Sequence, residues 1–113
     1  MTVAQTNAVD SVGIDKGTGH VHLSLVDDLD WSDEQGHLRV LQGKLNTYIA
    51  FIESGEVFAQ LTERLGRRVP RTTPVTVTIL ASFALTPEAT AFLAYAKEAF
   101  AQAGVVLSHE VPE

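Results

Sequence analysis

The chain of 113 residues contains no cysteine, which removes disulfides, zinc–thiolate centres and a thiol nucleophile together. It has no apolar run near the roughly 20 residues that cross a bilayer as a helix, so no membrane contact is expected. The first residues, MTVAQTNA, lack the basic start and apolar stretch of a secretory signal, and the expected location is the cytoplasm. Positive charge is scarce. Eight Lys and Arg stand against fourteen Asp and Glu, a formal net charge of −6, which argues against a nucleic-acid partner because phosphates need a basic face. A phosphate-binding glycine loop is missing as well, because Gly13, Gly17 and Gly19 belong to a hairpin rather than a strand–helix turn. None of Ser24, Ser54, Ser82 and Ser108 lies in a G-x-S-x-G setting, so nucleophilic catalysis has no support. No cofactor is expected.

What remains is the composition of an ordinary globular protein, 45% hydrophobic and 19% charged. The pattern predicts a tail over residues 1–8 and one α/β domain over 9–113. Its centre is the stretch 29–52, where Leu38, Leu41, Leu45, Tyr48, Ile49 and Ile52 recur at helical spacing. Ser32 and Gln35 are placed to form a capping box at its start, with Asp33 and Glu34 in the first turn where the helix dipole favours them. A hairpin precedes it, with strands over 9–15 and 20–27 around the turn Lys16-Gly17-Thr18-Gly19. Gly55 ends or interrupts the long helix. A short amphipathic piece over 56–65 then places Phe58, Leu61 and Leu65 on one side.

Val75 to Phe83 alternates as a β-branched strand, with Val75, Val77, Ile79, Ala81 and Phe83 on one face. Thr86 and Pro87 start the last helix, whose buried stripe is Ala89, Phe92, Leu93, Ala96, Ala99, Phe100 and Ala103. Val105 to Val111 is the last strand. The order β-β-α-(α)-β-α-β, with one apolar face per strand, predicts a two-layer α/β sandwich. A four-stranded mixed sheet carries its helices on one face.

Three runs resemble a small bacterial family of unknown function: D-D-L-D-W at Asp27–Trp31, H-L-x-x-L-Q-x-K-L-N-x-Y at His37–Tyr48, and F-I-E-S-G-E at Phe51–Glu56. The resemblance extends over residues 9 to 110. It implies no activity and assigns no catalytic residue.

Four groups of residues carry possible chemistry. Asp27, Asp28 and Asp30, with His37, form an acidic cluster where a strand hands over to a helix, and carboxylates there can hold Mg²⁺ or Ca²⁺. The competing expectation is a solvated turn, with His37 hydrogen-bonded to a carboxylate such as Asp30. His20 and His22 lie two apart on a strand and share a face, with His109 or Glu110 as a further ligand, though ordinary alternation produces the same spacing. Arg64, Arg67, Arg68 and Arg71 can bind a phosphate or a partner's carboxylates, or balance the chain's own acidic surface. Trp31 is expected to pack its ring over the end of the sheet, its indole N–H meeting a carbonyl or carboxylate.

On the long helix, Val40, Thr47 and Phe51 form a second weak strip beside Gly36 and Gly43, a candidate interface. The short helix folding back over that strip is the alternative. No catalytic constellation is visible. The expected function is therefore that of a small non-enzymatic domain acting through a homodimer or a protein partner. The alternatives are a metal-dependent hydrolase built on Asp27, Asp28, Asp30 and His37, and a small-molecule or peptide binder on the open sheet face.

Overall fold

The computed structural model describes Val9 and residues 11–111. The tail assigned to residues 1–8 lies outside them. The elements are β1 (Ser11–Ile14), β2 (Val21–Asp27), α1 (Glu34–Glu53), α2 (Glu56–Leu65), β3 (Val75–Ala81), α3 (Pro87–Gln102) and β4 (Val105–Glu110). The sheet runs in the order β1-β2-β3-β4. β1 is antiparallel to β2, whereas β2, β3 and β4 are parallel neighbours. The helices pack on one face, giving the expected two-layer α/β sandwich.

Period-two alternation explains both faces. Val21, Leu23 and Leu25 of β2, Val75, Val77 and Ile79 of β3, and Val105 and Leu107 of β4 are all buried under the helices. From above they meet Leu41, Leu45, Tyr48 and Ile52 of α1, Val57, Phe58 and Leu61 of α2, and Leu93, Ala96 and Phe100 of α3. Tyr48 fixes α1 on the sheet further, since its hydroxyl donates to the Ser24 carbonyl at 2.5 Å.

The other face carries three cross-strand rows: His22, Thr76 and Val106; Ser24, Thr78 and Ser108; Val26, Leu80 and Glu110. No described element covers it. Thr78 sits at its centre, its hydroxyl 3.0 Å from both His22 Nε2 and the Ser108 hydroxyl. Val106 is 61% exposed.

Several expectations need correction. The N-cap of α1 is Asp33, not Ser32; its carboxylate accepts the Gly36 N–H at 3.1 Å. A Cβ at position 36 would collide with that carboxylate, so the glycine makes room for the cap. β3 stops at Ala81, where its partner strand ends at Asp27, and Phe83 falls outside the alternation and is exposed. Leu65, next to the chain reversal at Gly66, is also exposed, as are Ala99 and Ala103. Lys44, overlooked in the pattern, is fully buried on the same stripe as Leu41, Tyr48 and Ile52, its Nζ 5.9 Å from the Tyr48 ring centroid.

Gly55 separates α1 from α2 with φ of 82°, in the left-handed region where a side chain is strained. The Arg71 guanidinium occupies the space a Cβ there would need and donates to the Ser54 carbonyl at 3.0 Å. Among the described residues no helix is long and apolar enough to cross a membrane.

Candidate functional site

The alternation of β2 does not stop at Leu25. Asp27 is the next inward position, and its side chain is buried beneath the start of α1. His37, in the first turns of α1, begins the stripe that continues through Leu41, Leu45 and Tyr48, so its ring points down at the same place. The two meet there: His37 Nε2 lies 2.7 Å from both carboxylate oxygens of Asp27. The other ring nitrogen, Nδ1, lies 2.9 Å from the backbone carbonyl of Asp30. Asp27 Oδ1 also accepts the Leu29 N–H at 3.3 Å.

These contacts constrain the protons. A carbonyl only accepts, so Nδ1 carries a proton and donates it. A second proton then lies between Nε2 and Asp27. The buried pair therefore holds two protons and is neutral as a unit, whichever partner holds the shared one. With Nδ1 donating and Nε2 bonded to Asp27, neither ring nitrogen offers an open lone pair toward solvent. In this arrangement the pair ties the end of β2, the turn and α1 together.

Trp31 closes the site from outside. Its ring stacks on that of His37, with centroids 3.6 Å apart and planes 19° from parallel. The expected partner for its indole N–H is not found: Nε1 is buried with no hydrogen-bond acceptor among the described residues.

The remaining acids of the cluster point elsewhere. The Asp30 carboxylate accepts the Ser32 hydroxyl at 2.6 Å and the Ser32 N–H at 3.1 Å. Those two bonds, the hydroxyl's first, hold its carboxyl below the usual carboxylate range, with a smaller contribution from His37. His37 thus meets the main chain of Asp30 and the carboxylate of Asp27, where the sequence suggested the Asp30 carboxylate. Asp28 is exposed. Among the described residues, no group of three or more His, Asp and Glu is placed to hold a metal ion.

The second histidine grouping separates. His22 lies on the open face against Thr78, whereas His109 lies on the helix-covered face, its Nδ1 2.9 Å from Lys97 Nζ. A sheet therefore stands between them, and His109 does not complete a ligand set with His22. Burial, then the Lys97 ammonium, lowers the pKa of His109.

Among the described residues no arginine pairs with a carboxylate. Arg64 donates to the Val12 carbonyl at 2.6 Å and Arg71 to that of Ser54, while Arg67 and Arg68 are exposed. On α1, Val40 and Phe51 are half-buried and pack against the core, and the Thr47 hydroxyl donates to the Gly43 carbonyl at 3.2 Å. Thr47 and Phe51 also line a shallow groove with Val9, Ser54 and Gln60.

Sequence reasoning found His37 and the acidic turn but not the pairing. The signal was present, because the period of two that assigns Leu23 and Leu25 to the core assigns Asp27 to it as well. Nothing local marked Trp31 as the partner of His37.

No curated protein and no solved structure matches the chain. A family model matches its full length, and the chain, over residues 1–113, belongs to a family of unknown function, DUF6572.

Proposed function

We propose that this protein is a small bacterial, cytoplasmic, non-enzymatic domain that works by binding protein, and that its first partner is a second copy of itself. The observation that carries this reading is the uncovered sheet face. Its three rows hold His22, small polar and aliphatic side chains, and Glu110 is the one carboxylate among them. On a chain of net charge −6, this is a surface where another polypeptide meets little repulsion. Val106 and Leu80 are exposed on it and supply apolar contact. β4 forms one edge of the sheet, a position that invites strand pairing. A two-fold dimer is the commonest way for a soluble chain to use such surfaces. The strip of Val40, Thr47 and Phe51 is the second candidate surface. The acidic balance of the chain favours neither nucleic acid nor an anionic membrane as partner.

Light scattering on the purified chain at micromolar concentration tests the reading. A dimer mass is expected, reduced to the monomer by Val106→Lys with no loss of thermal stability. A monomer at all concentrations overturns it.

A further inference from the structure

Half of the chain's eight Lys and Arg fall in one short stretch, at Arg64, Arg67, Arg68 and Arg71. Arg64 reaches across to the Val12 carbonyl at the β1 edge. Arg68 and Arg71 instead line one open groove of about 490 Å³, bounded by α2 and by the loop that leads on to β3.

Local contacts build this groove. Gly66 ends α2 and turns the chain back, and the loop is then fastened to the helix, because Thr62 Oγ1 accepts the Val69 N–H at 2.9 Å. Val69 is thereby buried in the same core cluster as Phe58, and with Pro70 the two give the groove an apolar lining. Arg71 is positioned from the other side. Its guanidinium fills the space beside Gly55 and donates to the Ser54 carbonyl at 3.0 Å. That bond uses one of the five N–H groups a guanidinium carries, and the others meet no acceptor among the described residues. Arg68 is exposed and makes no hydrogen bond or ion pair among them. Thr62 still has its own O–H to donate.

The charge inside the groove is unbalanced. Glu63 is the one carboxylate in its lining and pairs with neither arginine. Glu56 lies on the opposite flank of α2, where it lines a different groove with Thr47, Phe51 and Gln60. Two positioned guanidiniums therefore face one carboxylate over an apolar lining, on a chain that is acidic as a whole. A guanidinium fork matches the two oxygens of a carboxylate. Inorganic phosphate would leave the apolar lining unused, and Glu63 repels a dianion more than a single carboxylate. The open shape suits an extended segment rather than an enclosed small molecule.

We propose that this groove binds an acidic peptide segment of a protein partner. A carboxylate of the segment is held by Arg68 and Arg71, and a neighbouring apolar side chain rests on Phe58, Val69 and Pro70. The groove is built from α2 and its following loop and shares no residue with the open sheet face, so its occupancy is independent of the self-association proposed above.

NMR titration of labelled protein tests this with two acetylated, amidated peptides: Gly-Leu-Glu-Phe-Glu-Gly, and the same sequence with glutamine in place of glutamate. The glutamate peptide is expected to shift the amides of Phe58, Thr62 and Val69 and the Arg71 Nε–H saturably. The glutamine peptide is expected to bind about tenfold or more weakly, through loss of the charge-assisted contacts. Arg68→Gln, at an exposed position, is expected to keep the fold and lose the same factor. Arg71→Gln should weaken binding too, and circular dichroism checks that it folds without the Ser54 contact. Equal binding of the two peptides, shifts confined to other surfaces, or full affinity in Arg68→Gln overturns the proposal, as does a glutamate peptide that fails to bind at millimolar concentration. Inorganic phosphate that reproduces the shifts at Phe58 and Val69 overturns it in favour of a plain anion site. The mass found by light scattering decides only the use of the open sheet face.

Discussion

His37 and Asp27, ten residues apart, meet beneath the first turns of α1 with one ring nitrogen 2.7 Å from both carboxylate oxygens. Both side chains are almost fully buried. Removing either partner leaves the other without its counter-group in the interior, at a cost of about 3–5 kcal/mol. His37→Ala is therefore expected to lower the urea midpoint sharply. The double variant His37→Leu/Asp27→Leu should cost less than the two single changes together, since no orphaned polar group remains. Trp31, the only tryptophan, loses its stacking partner in His37→Ala, so its emission should change under conditions where the variant is still folded.

The capping assignment separates two adjacent residues. Asp33→Ala is expected to cost about 0.5–2 kcal/mol by freeing the Gly36 N–H, while Ser32→Ala costs much less. Ser32→Ala should instead raise the Asp30 carboxyl toward its ordinary value of 3.8, because the Ser32 hydroxyl is the main cause of its depression. Carbon-detected NMR titration reads that shift. A larger stability loss at Ser32 than at Asp33 would return the cap to Ser32.

Gly55→Ala places a side chain in the left-handed region, at about 1–2 kcal/mol, and adds the displacement of Arg71. Chemical denaturation should show a loss beyond the backbone cost alone. In an Arg71→Ala background the same substitution should cost less, and equal costs in both backgrounds would mean that Arg71 does not occupy that space.

His109 makes stability depend on pH in a defined direction. Burial and Lys97 lower its pKa in the folded state, so the unfolded chain takes up the proton more readily. Its contribution is complete above the ordinary value of 6.5 and declines as the pH falls below it. Lys97→Met removes the repulsion and should raise the His109 titration midpoint seen by NMR. It should also flatten the loss of stability between neutral and mildly acidic pH.

How far the sequence reaches depends on the kind of signal. The sheet faces were legible because alternation is set by the backbone: Val21, Leu23 and Leu25 point inward whatever surrounds them. Phe83 was misplaced because alternation does not say where a strand ends, and β3 ends where β2 runs out of partners. The burial of Lys44 and of Asp27 was overlooked because both lie on apolar stripes where polar residues are not expected. Their periodicity was readable, but their tolerance of burial depends on tertiary neighbours. Ser32 and Asp33 are both good caps, and only backbone geometry chooses between them. The Trp31–His37 stack joins a loop to a helix six residues on, and no local rule predicts that contact.

The proposed meeting of the uncovered sheet face with a second copy of the chain would bring Leu80 and Val106 of the two copies together. Isotope-filtered NMR on a mixture of labelled and unlabelled protein tests it most directly, by recording nuclear Overhauser contacts between copies. Intermolecular contacts from the methyl groups of Leu80 and Val106 are expected. A sample with no intermolecular contacts, or with contacts confined to Val40, Thr47 and Phe51, contradicts it.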